Sequence, residues 1–246
     1  MIAMLRRLFR CFFYPQVCCL CQSWVHFEDP RPLCDRCLTS LRRLDGPLCP
    51  VCGIPVPTDI LGEGYVCSSC RKQAPPFDKA RAWGLYGDLL RKTIHHFKFE
   101  GLRHLDIPLG NLLAEVFDEH LSEEHPEILV PVPIHPRRHR ERGYDQTLLL
   151  ARRLSHLCGL PIDRSTHRCR HTSPQFGLNL GARRRNLRGA FSIDPGHQLT
   201  GRRILIVDDV MTTGTTVGEL GKLIKRSARP EWLGVLTIAR VFHYSD

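Results

Sequence analysis

Residues Arg203-Ile204-Leu205-Ile206-Val207-Asp208-Asp209-Val210-Met211-Thr212-Thr213-Gly214-Thr215-Thr216 constrain the fold more than any other part of the chain. Ile204 to Val207 is an unbroken β-branched and aliphatic run, the pattern of a strand buried on both faces of a parallel sheet. Two aspartates follow where that strand should end. Next come a turn of small, hydroxyl-bearing residues around Gly214 and a helix-like segment from Thr215 to Lys225. In open α/β sheets ligands sit beyond the carboxyl ends of strands. A short loop entering a helix there offers several backbone N–H groups to one anion, and Gly214 lets the backbone come close to it. Carboxylates repel phosphate, so Asp208 and Asp209 suit hydroxyl groups instead. A phosphorylated sugar satisfies both halves. No Gly-Lys-Ser/Thr closes the turn and no G-x-G-x-x-G occurs, so the stretch is neither a nucleotide P-loop nor a dinucleotide fingerprint.

The whole string resembles the PRPP-binding signature of the type I phosphoribosyltransferases. The resemblance implies an α/β fold with a mostly parallel sheet flanked by helices. It also implies that Asp208 and Asp209 hold the ribose 2′ and 3′ hydroxyls, as the catalytic acids. Thr212, Thr213, Gly214, Thr215 and Thr216 would then hold the 5′-phosphate.

The second constraint is cysteine spacing. Of 12 cysteines, eight form four C-x-x-C pairs: Cys18 with Cys21, Cys34 with Cys37, Cys49 with Cys52, and Cys67 with Cys70. The first two pairs are 12 residues apart and the last two 14. Each C-x-x-C puts two thiolates on one turn, and two such turns complete a closed tetrahedral zinc site. Two structural zinc ribbons are therefore expected, paired first with second and third with fourth; spacing also permits an interleaved pairing. Cys19 stands beside Cys18 as a substitute ligand. No secretory signal precedes these cysteines, which argues against a disulfide framework.

A chain of 246 residues accommodates one standard domain plus a smaller module. The linker Lys72-Gln73-Ala74-Pro75-Pro76-Phe77-Asp78 marks the boundary. Residues 1–76 read as an N-terminal segment with the double zinc ribbon, and 77–246 as the phosphoribosyltransferase-type domain. The segment 1–15 is apolar but interrupted by Arg6, Arg7 and Arg10, too short and broken to span a membrane. It reads as an amphipathic helix, and cytoplasm is the expected location. Two tetrathiolate zinc sites, each net −2, bring the formal charge of +10 to about +6. The remaining basic surface fits an anionic partner.

After the linker, Ala80 to Tyr86 reads as a strand. A helix from Leu89 to Phe99 follows, with Asp88 as its cap and Gly101 as its stop. Lys98, at its end, reads equally as an anion ligand or as a solvated lysine. A second helix covers 108–120, and 128–134 forms a short strand. The basic stretch from His135 to Gln146 follows as a constrained loop, where arginine suits pyrophosphate. A helix spans Thr147 to Cys158. The region from Arg164 through 171–188 to Phe191 reads as a flap with a strand at its far end, and 232–241 is a last buried strand.

In this order the pieces resemble the ComF family of competence-associated proteins, some of them amidophosphoribosyltransferase-like. The likeness rests on Cys18 to Cys70, Phe97-Lys98, Val130-Pro131-Val132-Pro133, Arg142-Gly143-Tyr144-Asp145-Gln146, Thr172 with Gln175, Arg184 with Asn186, Gly189-Ala190-Phe191, and Val207 to Thr216. The family usually has Gly-Phe-Asn-Gln where this chain has Gly143-Tyr144-Asp145-Gln146. The resemblance implies that the loop holding Pro133, Arg137 and Arg138 takes pyrophosphate, helped by Lys98, with Mg²⁺ arriving on the PRPP. It implies a role in DNA uptake, single-stranded DNA as a partner, and proximity to the uptake machinery at the inner face of the membrane. Two other roles fit the same signature: an active phosphoribosyltransferase with an acceptor to be identified, and a non-catalytic PRPP sensor.

Overall fold

The computed structural model describes residues 17–25, 32–56, 64–170 and 189–242. The expected N-terminal helix and the flap over 171–188 lie outside them.

Four strands form one sheet: β1 (Lys79–Leu85), β2 (Ile128–Pro131), β5 (Arg203–Met211) and β6 (Trp232–Arg240). Their order is β1-β6-β5-β2, and every pairing is parallel. All four carboxyl ends therefore lie on one edge. Alternation along β5 explains the unbroken apolar run. Leu205 and Val207 face one buried layer, shared with Phe97, Leu109, Leu113, Leu150 and Leu154. Ile204 and Ile206 face the other, shared with Val217, Leu220 and Ile224. The first layer is supplied by α3 (Asp88–Phe99), α4 (Asp106–His120) and α6 (Gln146–Cys158), and the second by α7 (Thr215–Ala228). A separate antiparallel pair, β3 (Thr166–Arg168) with β4 (Phe191–Ile193), supplies the strand expected at the far end of the flap.

Two expectations are corrected. Asp88 does not cap α3: Gly87 occupies the cap position and Asp88 is the first helical residue, with φ of 42°. Only Tyr86 and Gly87 separate β1 from the helix, so the chain turns one residue early. The basic stretch after β2 is not a loop throughout. Pro136 begins the short helix α5 (Pro136–Arg142), and the Arg137 N–H donates to the His135 ring at 3.2 Å. Proline at a first helical turn needs no N–H partner, which makes it a natural start.

The cysteine-rich segment covers the outer edge of β1. Residue 43 bridges to Gly84 in antiparallel register, and the Leu44 N–H donates to the Trp83 carbonyl at 2.8 Å. Further along the strand the Ala80 N–H donates to the Val51 carbonyl at 2.7 Å. An exposed strand edge would be open to pairing with other chains, and this one is closed by its own N-terminal segment.

Candidate functional site

The eight C-x-x-C cysteines assemble as two groups, Cys18-Cys21-Cys34-Cys37 and Cys49-Cys52-Cys67-Cys70, with all ligand atoms of a group within 4.8 Å of one another. This is the sequential pairing. In each group the first pair sits on a tight turn. The second pair is carried by a one-turn helix, α1 (Asp35–Thr39) or α2 (Ser68–Lys72). A tetrahedron of thiolates at the usual Zn–S distance separates sulfurs by about 3.8 Å. Cys21 and Cys34 sulfurs are 3.6 Å apart, and Cys52 and Cys67 sulfurs 3.7 Å. Backbone N–H groups point at the sulfurs, from Cys37 to Cys34 and from Cys67 to Cys49, both at 3.4 Å, as thiolate ligands require. The residues fit zinc, and these are two closed zinc-binding sites of four cysteines each. Cys19 stays outside the first group, and burial pushes its thiol up to about 12.

The second centre lies at the carboxyl edge of the sheet. Asp208 and Asp209 lie near the carboxyl end of β5, 8% and 4% exposed. The Asp209 N–H donates to Asp208 Oδ1 at 2.8 Å. Lys98, from the last turn of α3, places Nζ 2.6 Å from Asp209 Oδ1. Gln146, the first residue of α6, donates from Nε2 to Asp209 Oδ2 at 3.2 Å, while its Oε1 is buried with no hydrogen-bond donor among the described residues. Burial, and then the Asp209 charge, push Asp208 up to about 8, against the pull of Lys98.

Two guanidiniums lie near enough to the acids to feel their charge. Burial and Arg142 hold Arg138 low, with Asp209 acting the other way. Burial and Arg138 pull Arg168 down to about 10, opposed by Asp208, so it stays cationic at neutral pH. Arg138 and Arg168 thus bring two positive charges near the carboxylate pair. The loop follows directly. Gly214, with φ of 73°, is the N-cap of α7 and supplies no side-chain cap hydrogen bond. Thr213 and Thr215 hydroxyls are 2.6 Å apart.

The sequence-derived residues do not all converge. Lys98, Arg138, Asp208, Asp209 and the loop from Thr212 to Thr216 line one edge of the sheet. Arg137 instead lies on the outer face of α5, donating to Glu141 at 3.1 Å, and Pro133 contributes backbone just beyond β2. Gln146 and Arg168 join the centre without having been singled out as site residues. Gln146 stands inside the Arg142–Gln146 motif, and Arg168 is one β-period from inward-facing Thr166.

The departure from Gly-Phe-Asn-Gln also has a physical account. Asp145 is the N-cap of α6: its Oδ1 accepts from the Leu148 N–H at 3.0 Å and the Thr147 hydroxyl at 2.8 Å. Only acceptor oxygens are used, which Asp and Asn supply equally well. The Tyr144 hydroxyl donates to the Phe97 carbonyl, a bond phenylalanine cannot make, and ties the corner to the residue before Lys98.

A parallel sheet flanked by helices, an acidic pair ahead of a helix N-terminus and two four-cysteine sites define an α/β protein with an N-terminal zinc-binding module. A family model described as a double zinc ribbon domain matches residues 10–71. Competence protein F of Haemophilus influenzae is 33% identical over 219 residues, 87% of this chain and 93% of that protein. The DNA utilization protein YhgH of Escherichia coli K12 is 33% identical over 217 residues, 87% of this chain and 92% of that protein. Competence protein ComFC of Bacillus subtilis is 24% identical over 243 residues, 91% and 95% of the two chains. The chain belongs to the ComF family of competence proteins, which includes YhgH. Among solved structures, a purine phosphoribosyltransferase from Pyrococcus horikoshii aligns at 20% identity over 54% of this chain and 70% of its own, with a TM-score of 0.34. The Bacillus subtilis glutamine PRPP amidotransferase aligns at 18% over 54% and 26%, with a TM-score of 0.37. Among the described residues no helix is long and apolar enough to cross a membrane.

Proposed function

We propose that this protein binds PRPP with Mg²⁺ at the Asp208–Asp209 centre and acts on single-stranded DNA in the cytoplasm during DNA uptake. The observation that carries the first half is the convergence of Lys98, Arg138, Arg168 and Gln146 on two buried carboxylates, one step before an uncapped helix N-terminus. The carboxylates accept hydrogen bonds from the vicinal hydroxyls of the ribose. Backbone N–H groups and hydroxyls from Thr212 to Thr216 take the 5′-phosphate. Lys98, Arg138 and Arg168 face the pyrophosphate, with the backbone after Pro133 beside them.

The oxygen set suits a hard cation and its waters: two carboxylates, and a buried Gln146 Oε1 that no donor among the described residues satisfies. When bound, Mg²⁺ supplies charge neutralisation on the pyrophosphate. The same cationic side chains would stabilise pyrophosphate as a leaving group, which favours phosphoribosyl transfer as the second reading. A PRPP sensor would bind equally well and release no pyrophosphate.

DNA uptake is supported by the names of the relatives, competence protein F and DNA utilization protein YhgH. The basic balance of the chain suits a nucleic acid, delivered by uptake machinery at the inner face of the membrane. The test is calorimetric titration of PRPP with Mg²⁺ into the zinc-loaded protein and into Asp208→Asn/Asp209→Asn. Binding that disappears in the double variant supports the site, and no binding to wild type removes both the enzyme and the sensor readings. Pyrophosphate release with candidate acceptors then separates those two.

A further inference from the structure

Arg240 ends β6 at the same edge as the acidic pair, yet it faces the other way and plays no part in the proposed PRPP contacts. It is 7% exposed. One guanidinium nitrogen donates to the Thr212 carbonyl at 3.3 Å, and the group lines one cavity with Cys52 and Cys70 of the second zinc site. Its Nε is buried with no acceptor among the described residues. Arg240 thus spans the second zinc site and the first residue of the loop. A guanidinium so buried needs a fixed negative charge beside it. A zinc tetrathiolate carries two net negative charges, and no carboxylate ion pair to Arg240 occurs among the described residues. Behind the loop is a cavity of about 230 Å³ rather than packed side chains, lined by Cys52, Cys70, Met211, Thr213, Gly214 and Arg240. The Arg240 bond to Thr212 ties the back of the loop, next to the Val241 N–H bond to the Met211 carbonyl at 3.0 Å.

We infer that the second zinc site holds the Thr212–Thr216 loop in its anion-binding shape through Arg240, a positioning residue, so that zinc occupancy governs phosphate affinity. With the zinc lost, Cys52 and Cys70 are no longer held as one rigid cluster beside Arg240. Arg240 then moves toward water, and the Thr212 carbonyl is released. The affinity part of the inference rests on the proposed PRPP reading; the mechanical part does not.

The experiment is hydrogen–deuterium exchange on the full zinc-loaded chain, following the peptide over 211–217 in wild type and Arg240→Gln, with zinc counted in both. The expected result is two zinc ions per chain in each protein and exchange over 211–217 about tenfold faster in the variant, with β2 unchanged; tenfold corresponds to about 1.4 kcal/mol of local opening. Unchanged exchange with both zinc ions present overturns the inference. Should Arg240→Gln not fold, chelator titration of wild type gives the same readout, and exchange over 211–217 that ignores loss of the second zinc overturns it too. Ribose 5-phosphate is the affinity probe, expected to weaken about tenfold in the variant. If exchange responds but wild type binds no ribose 5-phosphate, the latch stands and the phosphate assignment falls.

Discussion

Lys98 Nζ lies 2.6 Å from Asp209 Oδ1, joining the last turn of α3 to the carboxyl end of β5. The lysine neutralises one acid of a buried pair and leaves the other to its surroundings. Burial and the neighbouring Asp209 charge then raise Asp208 to about 8.

That shift makes Asp208 a liability for folding at high pH. In the unfolded chain an aspartate titrates near 3.9, so between about pH 4 and pH 8 the native state holds a proton that the unfolded state has lost. Stability therefore falls as pH rises through this window and levels off above the folded value. Asp208→Asn removes the penalty. At pH 8 the variant should be more stable than wild type by an amount on the order of a few kcal/mol, with the difference shrinking toward pH 6. Urea denaturation of both zinc-loaded proteins at several pH values measures it, the zinc sites being common to both. A difference that does not vary with pH would show that Asp208 ionises normally. The same variant should lose PRPP binding, since function here asks for the charge that folding disfavours.

Asp145 carries the opposite expectation. As the N-cap of α6 it needs only an acceptor oxygen, so Asp145→Asn should shift stability by less than about 0.5 kcal/mol, whereas Asp145→Ala should cost about 1 kcal/mol. Tyr144→Phe restores the usual family residue and leaves the Phe97 carbonyl without its hydroxyl partner. It should cost about 1 kcal/mol and weaken PRPP binding modestly, through Lys98. Denaturation and calorimetry on the three variants decide it. An Asp145→Asn protein that folds well but loses PRPP would mean the side chain touches ligand.

Much of this architecture is legible in the chain because it depends on local patterns. The Ile204–Val207 run announces a doubly buried strand, and β5 sits between β6 and β2 with both faces covered. Four C-x-x-C pairs at ribbon spacing announce two metal sites, and the sulfurs group accordingly. What stayed hidden depends on direction and on distance along the chain. Nothing in His135-Pro136-Arg137-Arg138 says which arginine turns inward; the helix begun by Pro136 sends Arg137 to Glu141 and leaves Arg138 toward the acids. Arg168 and Arg240 lie on strands whose inward faces only the sheet pairing reveals.

Gly53 is where the second zinc turn meets β1. Its φ is +64°, and a Cβ there would stand 2.4 Å from the Ala80 carbonyl oxygen, a backbone atom unable to yield. Gly53→Ala combines left-handed strain with that clash, and should destabilise the protein by about 2–4 kcal/mol. The turn holding Cys49 and Cys52 should open with it, lowering the zinc content from two ions toward one. Colorimetric zinc release alongside thermal melting reports both. A variant that keeps both ions and melts within about 2 °C of wild type would mean the ribbon and the sheet are not rigidly joined.

Phe99 gives the DNA reading a local test. It is 60% exposed at the end of α3, with the Arg142 guanidinium 4.8 Å from its ring centroid and the His95 ring at 4.9 Å. Exposed Arg140 lies on the same short helix as Arg142. An isolated surface aromatic needs no function, but one set among cations matches the two demands of a single strand: stacking for bases and charge for phosphates. Stacking contributes about 1–3 kcal/mol per base, so Phe99→Ala should weaken binding of an oligothymidine at least about fivefold. Each phosphate contact adds about −0.7 to the slope of log affinity against log salt, so Arg140→Gln and Arg142→Gln should each flatten that slope by about this amount. Fluorescence anisotropy across a salt series measures both effects. A wild-type affinity that ignores salt would remove DNA from the list of partners, leaving the Asp208–Asp209 centre to account for the protein's role.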